Sequence, residues 1–163
     1  MRSGRKLSSL MLLEPALRLT CQGHAVTAQA LTEAGAAALA HLCTELGTQP
    51  DAPAQATFAF PAPPVGLSEE ERLRFPNNLE PLRLLQQLLG KSSGPDAPLL
   101  MGAFGFDLLA SFEDLPPVVA GPNTCPDYRF YLAQTALRLD HQIGTATLFA
   151  LTCSGGSKGS SVP

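Results

Sequence analysis

Three carboxylates that follow an apolar segment are the first candidates for chemistry in this chain of 163 residues. Asp107, Glu113 and Asp114 lie close together in sequence, and neighbouring carboxylates can act as general acid and base or hold Mg²⁺. A lone Asp after an apolar strand more often caps the next turn by accepting backbone N–H bonds. Glu113 and Asp114 precede Leu115-Pro116, which suits a solvated loop. We therefore interpret all three as structural, and we assign no catalytic or metal-binding residue to this chain.

The positions of the three histidines do not favour nucleophilic catalysis. His24 and His141 fall on predicted turns, and His41 falls on a predicted helix. None of them has a Ser, Cys or metal-ligand partner at a useful sequence spacing. The pattern predicts no nucleophile–base pair.

The cysteines are equally scattered. They form no C-x-x-C pair, so a zinc site would have to be assembled from distant residues. Their positions predict buried free thiols at Cys21, Cys43, Cys125 and Cys153.

Gly102 and Gly105 are the last candidates for a functional site, as part of a phosphate-binding loop. Their G-x-x-G spacing lacks the third glycine and the lysine of phosphate-binding loops, so it does not predict a nucleotide site. Glycine inside an apolar strand instead indicates close approach of another backbone. The stretch Leu99–Phe106 is therefore predicted to be a buried strand, followed by one helical turn over Asp107–Ser111.

Strands and a helix are predicted for the first third of the chain. Apolar and polar residues alternate through residues 16–30 on either side of Gly23-His24, which predicts a β-hairpin, and Ser8–Leu13 suits a preceding strand. Thr32 is a good helix N-cap, and apolar residues then recur at helical spacing until Gly47. This helix is expected to lie on the hairpin.

The middle of the chain is predicted to be less regular. A short strand over Thr57–Phe60 lies among several prolines. Ser68 and the glutamates after it form a capping box for a short helix ending near Phe75. Asn78 is expected to cap a further helix over Leu79–Leu89, which carries a stripe of leucines.

Two strands are predicted in the last part of the chain. Tyr128–Leu139 is apolar on both faces, which predicts a central strand between layers, and Thr145–Leu151 follows after a tight turn. The small, polar residues 154–163 predict a disordered tail. The resulting prediction is an α+β fold, mainly antiparallel β-sheet layers with peripheral helices, in a single domain over residues 1–153.

Composition excludes several classes of protein. The chain has 14 acidic and 11 basic residues, a net charge of -3 and no Lys/Arg cluster, which argues against nucleic-acid binding. Its longest apolar runs, such as Leu10–Leu13, are too short for a membrane helix or for the apolar part of a signal peptide. We expect a cytoplasmic protein without nucleic-acid or membrane partners.

Three segments together resemble the N-terminal region of anthranilate synthase component I, in particular that of the enteric-type enzymes. They are Gly102–Pro116, Asn123–Thr135 and Asp140–Gln142. Ser9–Leu31 is similar to the early strands of the same family, in the same order. The resemblance covers about residues 6–151. The segment around Cys125-Pro126-Asp127 is its most specific part, since other chorismate-using enzymes share the Gly-x-Phe-x-Phe-Asp element.

The resemblance implies a pathway and not an activity. That family converts chorismate and glutamine-derived ammonia into anthranilate and pyruvate in tryptophan biosynthesis, with Mg²⁺ holding the substrate. Its partner is a glutamine amidotransferase subunit, and its catalytic and metal-binding residues lie in a C-terminal region that this chain lacks. The chain is thus expected to be an N-terminal fragment that is inactive alone and holds no cofactor.

The family's tryptophan site is not assigned to any residue here. Leu12-Leu13-Glu14-Pro15 looks like the Leu-Leu-Glu-Ser motif that contacts tryptophan in the family. When Ala16–Leu19 is aligned, however, that motif falls upstream of Met1. Ser8 then takes a position where enteric relatives tend to have Lys. The resemblance therefore implies a chain truncated at both ends.

Two alternatives stay open at this point. Component I of aminodeoxychorismate synthase shares the Gly-x-Phe-x-Phe-Asp element, and a non-catalytic binding module could keep the same fold. In an incomplete enzyme the apolar segment Leu99–Phe112 is expected to be exposed and to promote association.

Overall fold

A computed structural model describes residues 7–64, 66–90, 99–111 and 125–150. The helices in these ranges are α1 (Glu33–Glu45), α2 (Glu69–Arg74) and α3 (Glu80–Gly90), with a 3₁₀ helix over Phe106–Ser111. The strands are β1 (Ser8–Gln22), β2 (Ala25–Ala30), β3 (Gln55–Ala59), β4 (Leu100–Phe104), β5 (Tyr128–Asp140) and β6 (Thr145–Ala150).

The strands form one antiparallel sheet, as the sequence predicts. The order of the described strands is β3-β2-β1-β5-β4, and β6 also pairs with β5. Residues 128–132 of β5 pair with β4 and residues 135–140 pair with β6. Strands β4 and β6 therefore follow one another along the same edge of β5, and β1 occupies its other edge. The predicted central position of this strand is confirmed within the sheet, because strands pair along both of its edges.

Strand β1 is longer than the sequence pattern suggests. The segment predicted as a separate strand, Ser8–Leu13, is continuous with the first strand of the hairpin. The register with β5 shifts between Leu12 and Leu17, around Glu14 and Pro15. Bulges let a strand bend without ending, and proline is tolerated at them. The alternation of apolar and polar residues is interrupted there, which is why the sequence divides one strand into two.

The main core lies between one face of the sheet and helices α1 and α3. The buried side chains of this core come from four strands and both helices. They include Leu17, Leu19, Cys21, Val26, Ala28, Phe58, Tyr128 and Leu132 from the sheet, and Leu39, Leu42, Cys43, Leu85 and Leu89 from the helices. On the opposite face of β5, Ala133 is buried, whereas Tyr131 and Leu137 are only half-buried.

Helix α1 is held against β1 by its first turn. Thr32 is the N-cap, as predicted, and its hydroxyl accepts the backbone N–H of Gly35 at 3.3 Å. The carbonyl oxygen of Ala16 accepts the backbone N–H groups of Leu31 at 2.8 Å and of Thr32 at 3.3 Å. A Cβ atom on Gly35 would lie 1.8 Å from that oxygen. The helix therefore needs glycine here in order to approach the strand.

Strand β4 agrees with the sequence in one respect and differs in another. A Cβ atom on Gly102 would lie 2.1 Å from the carbonyl oxygen of Arg129, so the predicted close approach of another backbone is confirmed. The prediction that this strand is buried is wrong, because Gly102, Ala103 and Phe104 are exposed. In the described ranges β4 pairs with β5 alone, so one of its edges has no strand partner.

Some expectations concern residues outside the described ranges. These are Glu113, Asp114, Cys153 and the tail over 154–163. The single domain over residues 1–153 likewise stays a prediction. Within the described residues, no helix combines the length and the apolar character that crossing a membrane requires.

Candidate functional site

Asp107 is the one candidate carboxylate that falls within the described residues. It lies in the first turn of the 3₁₀ helix with its side chain exposed. The capping hydrogen bond expected from the sequence is not formed within that part of the chain. No group of three or more His, Cys, Asp or Glu side chains in the described ranges is arranged to hold a metal ion.

Two histidines lie where the sequence places them. His24 is exposed on the β1–β2 turn, and its carbonyl oxygen accepts the backbone N–H of Phe60 at 2.8 Å. His41 lies on α1, with its Nδ1 atom 4.0 Å from Glu45 Oε1 one turn later. Both positions serve local structure.

The third histidine has a partner that sequence spacing did not reveal. The Ser9 hydroxyl and His141 Nε2 are 2.8 Å apart, although the two residues are 132 positions apart in sequence. A nucleophile–base pair also needs a group that orients the imidazole. The neighbouring carboxylate of Asp140 accepts the backbone N–H groups of Gln142 at 2.9 Å and Ile143 at 3.3 Å. The Asp140 carboxylate is thus bonded to the backbone of the turn. The exposed Ser9–His141 pair joins the start of β1 to the β5–β6 turn.

The one buried polar residue among the described residues is Asn78, which is 1% exposed. Its Nδ2 donates to the carbonyl oxygen of Gly23 at 2.9 Å and to Ser111 Oγ at 3.0 Å. The Tyr128 hydroxyl donates to the Asn78 carbonyl oxygen at 2.6 Å. We call this cluster, together with Asp127, the Asn78 junction.

Asp127 extends the junction to two further segments. Its carboxylate accepts the backbone N–H of Gly23 at 2.5 Å, and its own N–H donates to the carbonyl oxygen of Cys21 at 2.9 Å. The carbonyl oxygen of Asp127 accepts the N–H of Gly105 at 2.6 Å. The two motifs that carry the family resemblance, around Gly102–Phe106 and Cys125–Asp127, thus meet here.

The role expected of Asn78 as a helix cap is wrong. Asn77 takes that place, since its Oδ1 accepts the backbone N–H of Leu79 at 3.0 Å and its carbonyl oxygen accepts that of Glu80 at 3.0 Å. Two consecutive asparagines offer the same local chemistry. Only the packing of α3 against the β1–β2 turn decides which of them turns inward.

The thiols follow the sequence prediction in part. Cys21 and Cys43 are buried and free, whereas Cys125 is exposed, contrary to expectation. Burial, and next the Asp127 carboxylate, raise the pKa of Cys21 to about 12, although the neighbouring Asn78 side chain opposes this shift. Burial also raises the pKa of Tyr128. At neutral pH both groups are therefore protonated, so Cys21 is a poor nucleophile.

The raised pKa of Cys21 predicts that the protein loses stability at alkaline pH. The ordinary pKa is 9.0 and the folded value is about 12. Between these values the unfolded chain has lost a proton that the folded chain retains, so the free energy of unfolding falls as pH rises. Urea denaturation at a series of pH values should show this decline, and Cys21→Ala should make it shallower. An identical slope in Cys21→Ala would contradict the assignment.

The junction can hold the fold together, but it is poorly suited to catalysis. It connects the β1–β2 turn, the start of α3, the end of the 3₁₀ helix and the start of β5 through six hydrogen bonds to backbone or hydroxyl groups. Its ionisable thiol and phenol favour their neutral forms. In the sequence, Asp127 after Cys125-Pro126 was the only feature that indicated this cluster. It was noticed because it belongs to the family resemblance.

Comparison with known proteins gives a consistent result. The chain is 38% identical over 161 residues to anthranilate synthase component 1 of Vibrio parahaemolyticus, covering 96% of this chain and 29% of that protein. It is 42% identical over 140 residues to the Salmonella typhimurium protein of the same name, covering 83% and 27%. The Escherichia coli protein of that name is 41% identical over 140 residues, again covering 83% and 27%. No family model matches the chain.

A solved structure is also similar. Anthranilate synthase component I from Streptococcus pneumoniae TIGR4 matches with a TM-score of 0.48 and 12% identity, covering 97% of this chain and 27% of that chain. The sequence matches show that the chain is a relative of anthranilate synthase component I along nearly its whole length, and it spans less than a third of the length of the curated relatives it matches.

Proposed function

We propose that this chain supplies the N-terminal part of an anthranilate synthase component I and has no catalytic activity alone. The observation that carries the proposal is the match to the Vibrio parahaemolyticus protein, which covers 96% of this chain but 29% of that relative. In this proposal the remaining part of the enzyme converts chorismate and ammonia to anthranilate and pyruvate. A glutamine amidotransferase subunit delivers the ammonia, and the complex is cytoplasmic.

The chemistry of the described residues supports a structural role. The Asn78 junction uses Asp127 and Tyr128 to bind backbone groups, so these polar side chains are engaged within the fold. The described residues do not fit a Mg²⁺ site, and no role in holding Mg²⁺ is assigned to them. In this proposal the metal and the catalytic groups lie in the C-terminal region of the enzyme, as the family resemblance implies.

The first test is an assay of the purified chain. With chorismate, Mg²⁺ and either ammonia or glutamine plus an amidotransferase subunit, we expect no anthranilate fluorescence above a blank without enzyme. The complete Salmonella typhimurium enzyme serves as the positive control. Anthranilate formed by the chain alone would overturn the proposed inactivity.

A second experiment tests whether the chain can supply the N-terminal part of the enzyme. The chain is coexpressed with a Salmonella typhimurium component I from which the matching region has been deleted, in a strain that needs tryptophan. Restored growth is the expected result, and Leu132→Ala should abolish it because the core is then destabilised. Failure to restore growth, with both parts present and folded, would favour a separate binding module.

A further inference from the structure

We propose that the remaining part of component I packs around one end of the sheet and covers both of its faces. We call this region the open end of the sheet, and it consists of residues 7–13, 135–140 and 143–150. The inference rests on the proposed function, since it names the surface through which this chain joins the rest of the enzyme.

The open end carries most of the exposed apolar surface of the described residues. Ten large apolar side chains are exposed in those residues, and six of them lie at the open end. An isolated exposed leucine is ordinary, but a contiguous group of this kind marks a contact surface. The six side chains are Leu7, Leu10, Met11, Leu13, Ile143 and Leu148.

The apolar side chains lie on both faces of the sheet. Met11 on β1 lies opposite Leu137 on β5, which lies opposite Leu148 on β6, so these three form a row on one face. Leu10 precedes Met11 along β1 and therefore points to the other face, where it lies opposite Arg138. Met11 is 53% exposed and Leu10 is 43% exposed. A partner that buries this surface has to contact both faces.

A second copy of the chain does not fit this arrangement. A twofold contact joins one patch to the same patch of the other copy. Such a pair would cover one face of the open end and leave the other face exposed. A larger body of protein can enclose the end of a sheet from both sides.

The composition of three segments outside the described ranges makes them unsuited to cover the open end. They are residues 1–6, 91–98 and 151–163, and most of their side chains are small or polar. Their large apolar side chains are Met1, Leu151 and Val162. Three such side chains cannot bury six on two opposite faces.

Residues 112–124 are more apolar, but the points at which this segment joins the described chain are far from the open end. Ser111 and Asp127 are both held at the Asn78 junction, beside the start of β5. Leu137 is about 30 Å from that point, at roughly 3.3 Å per residue along the strand. Thirteen residues that leave and return to the junction extend out to about 25 Å at most.

The comparisons favour the remaining part of component I as the occupant. The match covers 96% of this chain but 29% of the Vibrio parahaemolyticus protein. Most of such an enzyme therefore lies outside the matched region and supplies enough polypeptide to enclose the open end. Contacts between the parts of one chain commonly bury about 600–1,500 Å².

The experiment uses a chimera in which this chain replaces the matching part of the complete Salmonella typhimurium enzyme. Leu148→Lys tests one face of the open end and Leu10→Gln tests the other. On heating, each variant of the chimera should lose anthranilate formation at least about tenfold faster than the parent chimera, because a polar group enters an apolar contact. In the chain alone, each variant should keep the denaturation midpoint of the parent, since both side chains are exposed.

Two further variants of the chimera locate the contact. Ala59→Lys is the matched control, since Ala59 is exposed on β3 at the opposite side of the sheet. Its rate of inactivation should stay within about twofold of the parent, as expected for an unrelated surface site. Phe106→Lys tests the rival surface beside β4, because Phe106 is 87% exposed.

The outcomes separate this inference from the proposed function. A folded chimera that forms no anthranilate would overturn the proposed function and this inference with it. An active chimera in which Leu148→Lys and Leu10→Gln inactivate no faster than the parent would overturn this inference alone. An effect of only one of these two variants would contradict the burial of both faces. Faster inactivation in Phe106→Lys alone would place the contact beside β4 instead.

Discussion

Replacing Leu132 with alanine is expected to lower the free energy of unfolding by roughly 2–5 kcal/mol. Leu132 is 2% exposed and lies opposite Leu17 on β1 and Leu100 on β4, in the middle of the sheet. Truncation leaves a cavity that the flanking strands cannot easily fill, because their backbones are held by hydrogen bonds on both sides of β5. Chemical denaturation followed by circular dichroism measures the loss.

Leu148→Ala is the matched control for this prediction. It removes the same atoms from a side chain that is 63% exposed, so it should change the free energy of unfolding by no more than about 0.5 kcal/mol. Both variants are compared with the parent at a protein concentration low enough to prevent association. An unchanged denaturation midpoint in Leu132→Ala would contradict the central position of β5.

Gly35→Ala should lower the free energy of unfolding by about 3 kcal/mol, the upper part of the range for overpacking. Helix propensity alone predicts the opposite sign, because alanine is favoured over glycine inside a helix by about 1 kcal/mol. In the structure, the added Cβ atom would lie 1.8 Å from the carbonyl oxygen of Ala16. Helix α1 would have to move away from β1, and the hydrogen bonds that this oxygen accepts from Leu31 and Thr32 would weaken.

Ala37→Gly provides the comparison for Gly35→Ala. Ala37 is exposed on the same helix, so this change should cost only the intrinsic preference of about 1 kcal/mol. Urea denaturation of both variants separates the two effects. A Gly35→Ala protein as stable as the parent, or more stable, would mean that α1 does not rest on Ala16.

Local patterns predicted most of the elements. Alternation with a period of two identified the hairpin strand β2, apolar residues on both faces identified β5, and the preceding tight turn identified β6. Helical spacing or a capping threonine or serine identified α1 and α2. These signals depend on neighbours a few residues apart, so they are readable without knowledge of the fold. The pattern around Glu14 and Pro15 misled the prediction, because a bulge interrupts the alternation without ending the strand.

The sequence by itself determined that the chain folds as an antiparallel sheet with helices and that it is similar to anthranilate synthase component I. Only the tertiary structure decided which polar groups meet, since Ser9 and His141 are 132 residues apart and Asn78 and Tyr128 are 50 apart. It also decided that Asn78 turns into the core while Asn77 caps the helix, and that the second part of β4 is exposed rather than buried. The physical reason is that strand order and register bring together residues whose local patterns contain no information about one another.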